Sequence, residues 1–213
     1  MDYIFQNRTN ILVAPTAPDG SLIMAFHGSY GAPASFQNAI KLEDIYPNSY
    51  ILYVSAEETK LWKAGSESND VAYIHSLLLS VKADYDIIDL TKISLTGHSG
   101  GGAMCYKAAA YLDEFNFASI TTLCAPYLAT EEFDYTGPVY HFHMVNDKIV
   151  PIAGTENYPS LIDTMASLTK HFKSARFDVR ASNNIENDNA HNLGIILAEY
   201  PTLLTEIKTT LGL

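Results

Sequence analysis

Apolar residues in this chain come in short segments. Ser21–Phe26 and Tyr50–Val54 are continuous runs, and Ile93–Thr96, Ser119–Cys124 and Val139–Met144 are apolar segments interspersed with serine, threonine or histidine. A strand covered on both faces has no polar side, so each reads as a buried strand. Tyr3–Phe5 and Ile11–Val13 read as two shorter strands around a polar turn at Asn7 to Asn10, and Phe177–Ala181 as a last one. Helical patterns lie between. Ala34–Ile45 predicts a helix stopped by Pro47. Asp70–Lys82 puts Val71, Ile74, Leu77, Leu78 and Val81 on one face, with Ser68 or Asn69 as its cap. Ala103–Leu112, Leu161–Phe172 and Leu193–Leu211, the last carrying one proline, complete the helices.

Strands alternating with helices predict an α/β fold, with a mostly parallel sheet and helices on both faces. Neither a repeat nor a linker interrupts residues 1–213, so a single domain is expected. The connection from Ala125 to Gly137 is long enough for a small surface insertion but not for a lid domain.

Composition narrows the partners. With 47% hydrophobic and 17% charged residues, the 213-residue chain is neither disordered nor fibrous. A net charge of -11, with Arg8, Arg176 and Arg180 as the only arginines, argues against nucleic acid and against an anionic membrane surface. The start, MDYIFQNRTN, has no basic segment followed by a long apolar stretch, so a cytoplasmic location is expected. Cys105 and Cys124 sit in apolar segments and read as buried thiols of a reducing compartment. They lack the paired spacing of a zinc site. Oligomeric state is not legible.

The sharpest local signal is Gly97-His98-Ser99-Gly100-Gly101. It matches G-x-S-x-G between an apolar strand and a small-residue helix. A nucleophilic serine must project from a turn too tight for bulky neighbours, and Gly97 and Gly101 remove the colliding side chains. The N–H of Gly100, at the start of the helix, points positive charge at a developing oxyanion. Phosphate-loop readings fail, because neither a G-K-[ST] ending nor G-x-G-x-x-G spacing is present.

Serine needs a general base, and the base needs an orienting acid, in the chain order Ser, acid, His. His191 lies in the polar loop before the last helix, whereas His171 sits late in a helix beside lysines. His191 is therefore the preferred base. Asp147 follows a strand by a short turn and is the preferred acid, with Asp188, Asp134 and Asp163 as alternatives. The loop Phe26-His27-Gly28-Ser29-Tyr30-Gly31 suits a second oxyanion donor, the N–H of Ser29. Tyr30, Trp62 and His98 are candidate substrate contacts, although a loop tryptophan can equally be a local anchor. No metal or cofactor is called for.

These stretches together resemble the α/β-hydrolase superfamily, and within it the esterase group of polyhydroxybutyrate depolymerases and feruloyl esterases. The likeness runs through Phe26-His27-Gly28, Trp62, Asn69–Ile74, Ile93–Met104 and His143–Pro151. Family members show His-Gly-x-x-Asp-x-x-Val-Pro in the last stretch, and the resemblance carries the triad-acid role onto Asp147. It implies a serine carboxylic-ester hydrolase working through an acyl-enzyme on a small or oligomeric ester. The same constellation serves thioesterases and peptidases, and a silent binding protein can share the scaffold. The chain departs from the family at Met144, where glycine is usual, around His191, which lacks neighbouring tryptophan, and in its missing secretion signal.

Overall fold

A computed structural model describes residues 1–57, 61–62, 69–127, 135–182 and 190–212; the side chains of 171–173 fall outside that set. Asp134 and Asp188, two of the alternative acids, and Ser68 lie outside the described residues, as does most of the Ala125–Gly137 connection. His171 is described as backbone only.

Among the described residues eight strands form one sheet: β1 (Asp2–Phe5), β2 (Arg8–Val13), β3 (Leu22–Phe26), β4 (Tyr50–Val54), β5 (Ile93–His98), β6 (Ser119–Leu123), β7 (Tyr135–Met144) and β8 (Phe172–Arg180). Their spatial order is β1-β2-β4-β3-β5-β6-β7-β8. From β4 to β8 every pairing is parallel, whereas β1 and β2 add an antiparallel hairpin at one edge. The hairpin turns at Gln6-Asn7, both left-handed, which is tighter than the Asn7–Asn10 turn expected from polarity. Among the described residues seven α-helices cover the faces: α1 (Pro33–Ile40), α2 (Leu42–Ile45), α3 (Asn69–Asp84), α4 (Gly100–Tyr111), α5 (Leu161–His171), α6 (Leu193–Glu199) and α7 (Leu203–Leu211).

The central strands are apolar on both sides because each side meets a helix layer. Leu22, Met24, Phe26, Ile93 and Leu95 join the core under α3 and α4. Ile23, Ala25, Ile51, Tyr53 and Phe142 point the other way, into the core with α1, α6 and α7.

Two expected helices are broken. Ala34–Ile45 divides at Lys41, whose left-handed backbone closes α1 and opens α2. Leu193–Leu211 divides around Pro201, which cannot supply an interior N–H. No helix among the described residues is long and apolar enough to cross a membrane.

Candidate active site

Strand β5 delivers Ser99 to the carboxyl edge of the sheet, and α4 begins at the next residue. Ser99 itself takes φ 53° and ψ -125°. That conformation costs a non-glycine residue roughly 1–3 kcal/mol, so the surroundings must hold it. They do so in part through glycine. A Cβ on Gly97 would run into the backbone of Gly101 and Gly102, and one on Gly101 into the carbonyls of Phe26 and His27. The Ser99 N–H donates to the Leu123 carbonyl at 2.9 Å, tying the turn to β6.

Three side chains distant in sequence meet here. His191 Nε2 lies 2.7 Å from Ser99 Oγ, and His191 Nδ1 lies 2.6 Å from Asp147 Oδ2. The carboxylate can only accept, so Nδ1 carries the proton and Nε2 accepts from the serine hydroxyl. Asp147 sits in the turn after β7 and is buried. Its Oδ1 accepts from the N–H groups of Ile149 and Val150, each at 2.8 Å. Burial alone would raise this carboxyl. The hydrogen bond and charge of His191 and the two backbone donors outweigh it and hold the carboxyl below the usual range. His191 immediately precedes Asn192, which caps α6 through the N–H groups of Gly194 and Ile195.

Ser29 and Gly100 also converge. A Cβ on Gly100 would stand 3.5 Å from Ser29 N and 2.5 Å from Ser29 Oγ. The Gly100 amide opens a helix and so lacks an intrahelical partner. Behind Ser29, a tight turn closes with the Gly31 N–H donating to Gly28 O at 2.9 Å. His27 braces it: Nδ1–H donates to Gly28 O at 2.8 Å, and Nε2 accepts from the Ala56 N–H at 3.3 Å.

No protein-family model and no curated protein matches the chain. Solved structures do. The fluorophosphonate-binding serine hydrolase FphF of Staphylococcus aureus superposes with TM-score 0.64 at 12% identity, covering 99% of this chain and 96% of that one. A phospholipase/carboxylesterase from Dyadobacter fermentans gives 0.60 at 14% identity, over 91% of this chain and 95% of that one. Est1E of Butyrivibrio proteoclasticus, solved with ferulic acid, gives 0.57 at 15% identity, over 98% and 100%. This chain has the α/β-hydrolase fold.

On this α/β-hydrolase scaffold Ser99 and His191 face an open groove of about 370 Å³. Gly28, Ser29, Ala32, Ser35, Phe36 and Leu193 supply much of the wall. Two expected substrate contacts are elsewhere. Tyr30 does not line the groove; its left-handed backbone turns the ring outward, where it is 73% exposed. Trp62 does not line it either. Its Nε1–H donates to His27 O at 2.7 Å and its ring meets Phe26 edge-on, so it anchors the loop from behind. His98 does line the groove, but its Nε2–H is committed to the His191 carbonyl at 2.8 Å. Burial, then the neighbouring His191, lowers its pKa to about 4, leaving a neutral ring.

Sequence reasoning assigned no role to His27 or Cys124. Phe26-His27-Gly28 was itself part of the family likeness, and a polar residue ending a buried strand is the signal there. Cys124 offered no such signal: its contact with the site exists only because β6 and β7 are neighbours. Sulfur, carboxylate and imidazole donor atoms of Cys124, Asp147 and His191 lie within 4.8 Å of one another. Burial and then the Asp147 charge push the thiol well up, so it stays protonated beside the carboxylate. Asp147 already accepts a hydrogen bond from His191 Nδ1 at 2.6 Å. These pairings fit a proton path better than a metal.

Proposed function

We propose that this protein is a serine carboxylic-ester hydrolase. The continuous hydrogen-bonded path Ser99–His191–Asp147, at a strand-to-helix turn beside two convergent amides, carries the reading. His191 Nε2 takes the hydroxyl proton as Ser99 Oγ attacks the ester carbonyl. Asp147 holds the imidazole in the required tautomer and stabilises its charged form. Amides of Ser29 and Gly100 receive the oxyanion. The proton then passes from His191 to the leaving alcohol. Water, deprotonated by the same nitrogen, attacks the acyl-enzyme and releases the acid and Ser99.

The open groove, walled by glycine, alanine and serine, suits short-chain esters that are soluble in water, with no jump in rate at an interface. Among the described residues its lining carries no lysine, arginine or carboxylate, and binding by ion pairing is not part of this reading. The test is labelling of wild-type protein by a fluorophosphonate together with turnover of acetyl, butyryl, long-acyl, aryl and thioester substrates. Labelling at Ser99 and a preference for short oxygen esters support the reading. Absence of both label and ester turnover would sink it.

A further inference from the structure

Two histidines of β7 stand outside the proton path and yet lie buried against it. His141 and His143 share one face of the strand, stacked with centroids 5.5 Å apart and planes 9° apart. Their proton positions follow from a single acceptor. His143 Nε2 is 2.8 Å from the Val150 carbonyl, which can only accept, so Nε2 carries hydrogen. A neutral His143 then has a bare Nδ1, and His141 Nε2, 3.3 Å away, must donate to it. His141 Nδ1 is left as the acceptor for the Tyr106–Thr122 hydroxyl pair, which lies at 2.8 Å and 3.0 Å from it and is itself hydrogen-bonded at 2.8 Å.

Burial keeps this pair neutral against the groups that face it. Asp147 and Val150 face it from the turn after β7, His191 from the segment before α6, Tyr106 from α4 and Thr122 from β6; Phe177 adds an apolar ring from β8. Burial and then the neighbouring His143 lower the pKa of His141 to about 3. For His143, burial outweighs the opposing pull of the Val150 carbonyl and Asp147 and lowers it as well.

Both ends of one turn therefore meet at His143. Its Nε2–H holds the Val150 carbonyl, while the Val150 N–H holds Asp147 Oδ1. Nε2 also lies 3.8 Å from Oδ2, the oxygen facing His191. We propose that the His141–His143 pair is a positioning device for the acid of the triad: His143 clamps the Asp147–Val150 turn through Nε2–H, and His141 locks the tautomer that makes this possible. The proposal rests on the hydrolase reading above and assigns neither ring to the proton path.

His143→Leu keeps a buried apolar side chain but loses the clamp. It should lower kcat about 10- to 100-fold, the scale of a misplaced catalytic group, with KM within about twofold. His143→Gln can still present an N–H to the Val150 carbonyl and should recover kcat to within about fivefold of wild type. Wild-type kcat in His143→Leu, or equal loss in Leu and Gln, overturns the proposal while an active wild type leaves the hydrolase reading standing. A wild type with neither label nor ester turnover overturns the reading and the proposal with it. Should the variants fail to fold, long-range 1H–15N spectra of the wild type decide. Both rings should be Nε2–H tautomers that do not titrate between about pH 5 and 8, and an Nδ1–H form or an imidazolium at either position overturns the proposal.

Discussion

The sheet has a pocket at each end, and the two differ in chemistry far more than in size. At the amino edge, a cavity of about 300 Å³ is lined by Ser21, Tyr46, Ser49, Lys92, Ser94 and Lys208, among others. At the carboxyl edge the Ser99 groove measures about 370 Å³. Amino-edge polar groups satisfy each other. Ser21 bonds Ser49 at 2.7 Å, Ser94 bonds Ser119 at 2.8 Å, and Lys208 Nζ donates to the Ile45 carbonyl at 2.8 Å. At the carboxyl edge stand a serine with φ 53°, an imidazole hydrogen-bonded to it, and the first amide of α4 at the next residue. The reason is directional: in a parallel sheet, helix N-termini gather beyond the carboxyl ends of the strands, where their free N–H groups favour developing negative charge. Volume alone does not identify the reactive end.

The hardest blow to this contrast is the loss of the nucleophile. Ser99→Ala should bring ester turnover near background, leaving no more than the roughly 10³–10⁴-fold residual over water that binding and an oxyanion site supply. Near wild-type hydrolysis by that variant removes the carboxyl-edge assignment. Asp147→Asn comes next. It should reduce kcat/KM by up to about 10⁴-fold while the circular-dichroism spectrum stays folded. Asp188→Asn, changing the alternative acid, should cost less than about tenfold, and the reverse order would displace Asp147 from its role.

Acid should destabilise the carboxyl edge through His98. Its folded pKa of about 4 lies below its usual 6.5, so the unfolded chain binds the proton first. Stability is then full above pH 6.5 and falls as pH drops toward about 4, by at most about 3 kcal/mol. The Asp147 contribution has the same sign but a lower window. Its carboxyl is held below 3.8, so that part is lost only under more acid conditions. Thermal midpoints of wild type and His98→Gln, measured from pH 7 to 4, should diverge at pH 7 and converge on acidification. Parallel curves would contradict the assignment.

Smaller effects separate scaffold from site. Trp62→Ala removes the hydrogen bond to His27 and the contact with Phe26. It should cost about 1–3 kcal/mol in denaturant unfolding with KM within about twofold. A raised KM at unchanged stability would return Trp62 to the substrate groove. Lys208→Met, at the amino edge, should leave kcat/KM within about twofold and stability within about 1 kcal/mol. A large catalytic loss there would give the second pocket a role that its internal pairing argues against.

Much of the candidate site was legible in sequence because its logic is local. The short apolar segments announced strands covered on both faces, and α/β alternation announced their layering. Gly97 and Gly101 announced a backbone approach that only hydrogen side chains allow, now visible against Gly102 and the Phe26 and His27 carbonyls. Chain order together with loop placement favoured His191 and Asp147, which the fold brings within 2.7 Å and 2.6 Å of their partners. Other features are tertiary by nature. Tyr30 and Trp62 lie in loops of similar polarity. A left-handed φ sends one ring outward, and contact with β3 draws the other behind the site. The break at Lys41 rests on a left-handed backbone that its residue type does not announce. His141 reads as an ordinary strand residue, and His143 as the start of the stretch that carries the family likeness. Only the neighbouring of β6, β7 and α4, with one carbonyl from the Val150 turn, decides which of their nitrogens carry protons. A proton position depends on the partner across space, and periodicity along the chain records nothing about that partner.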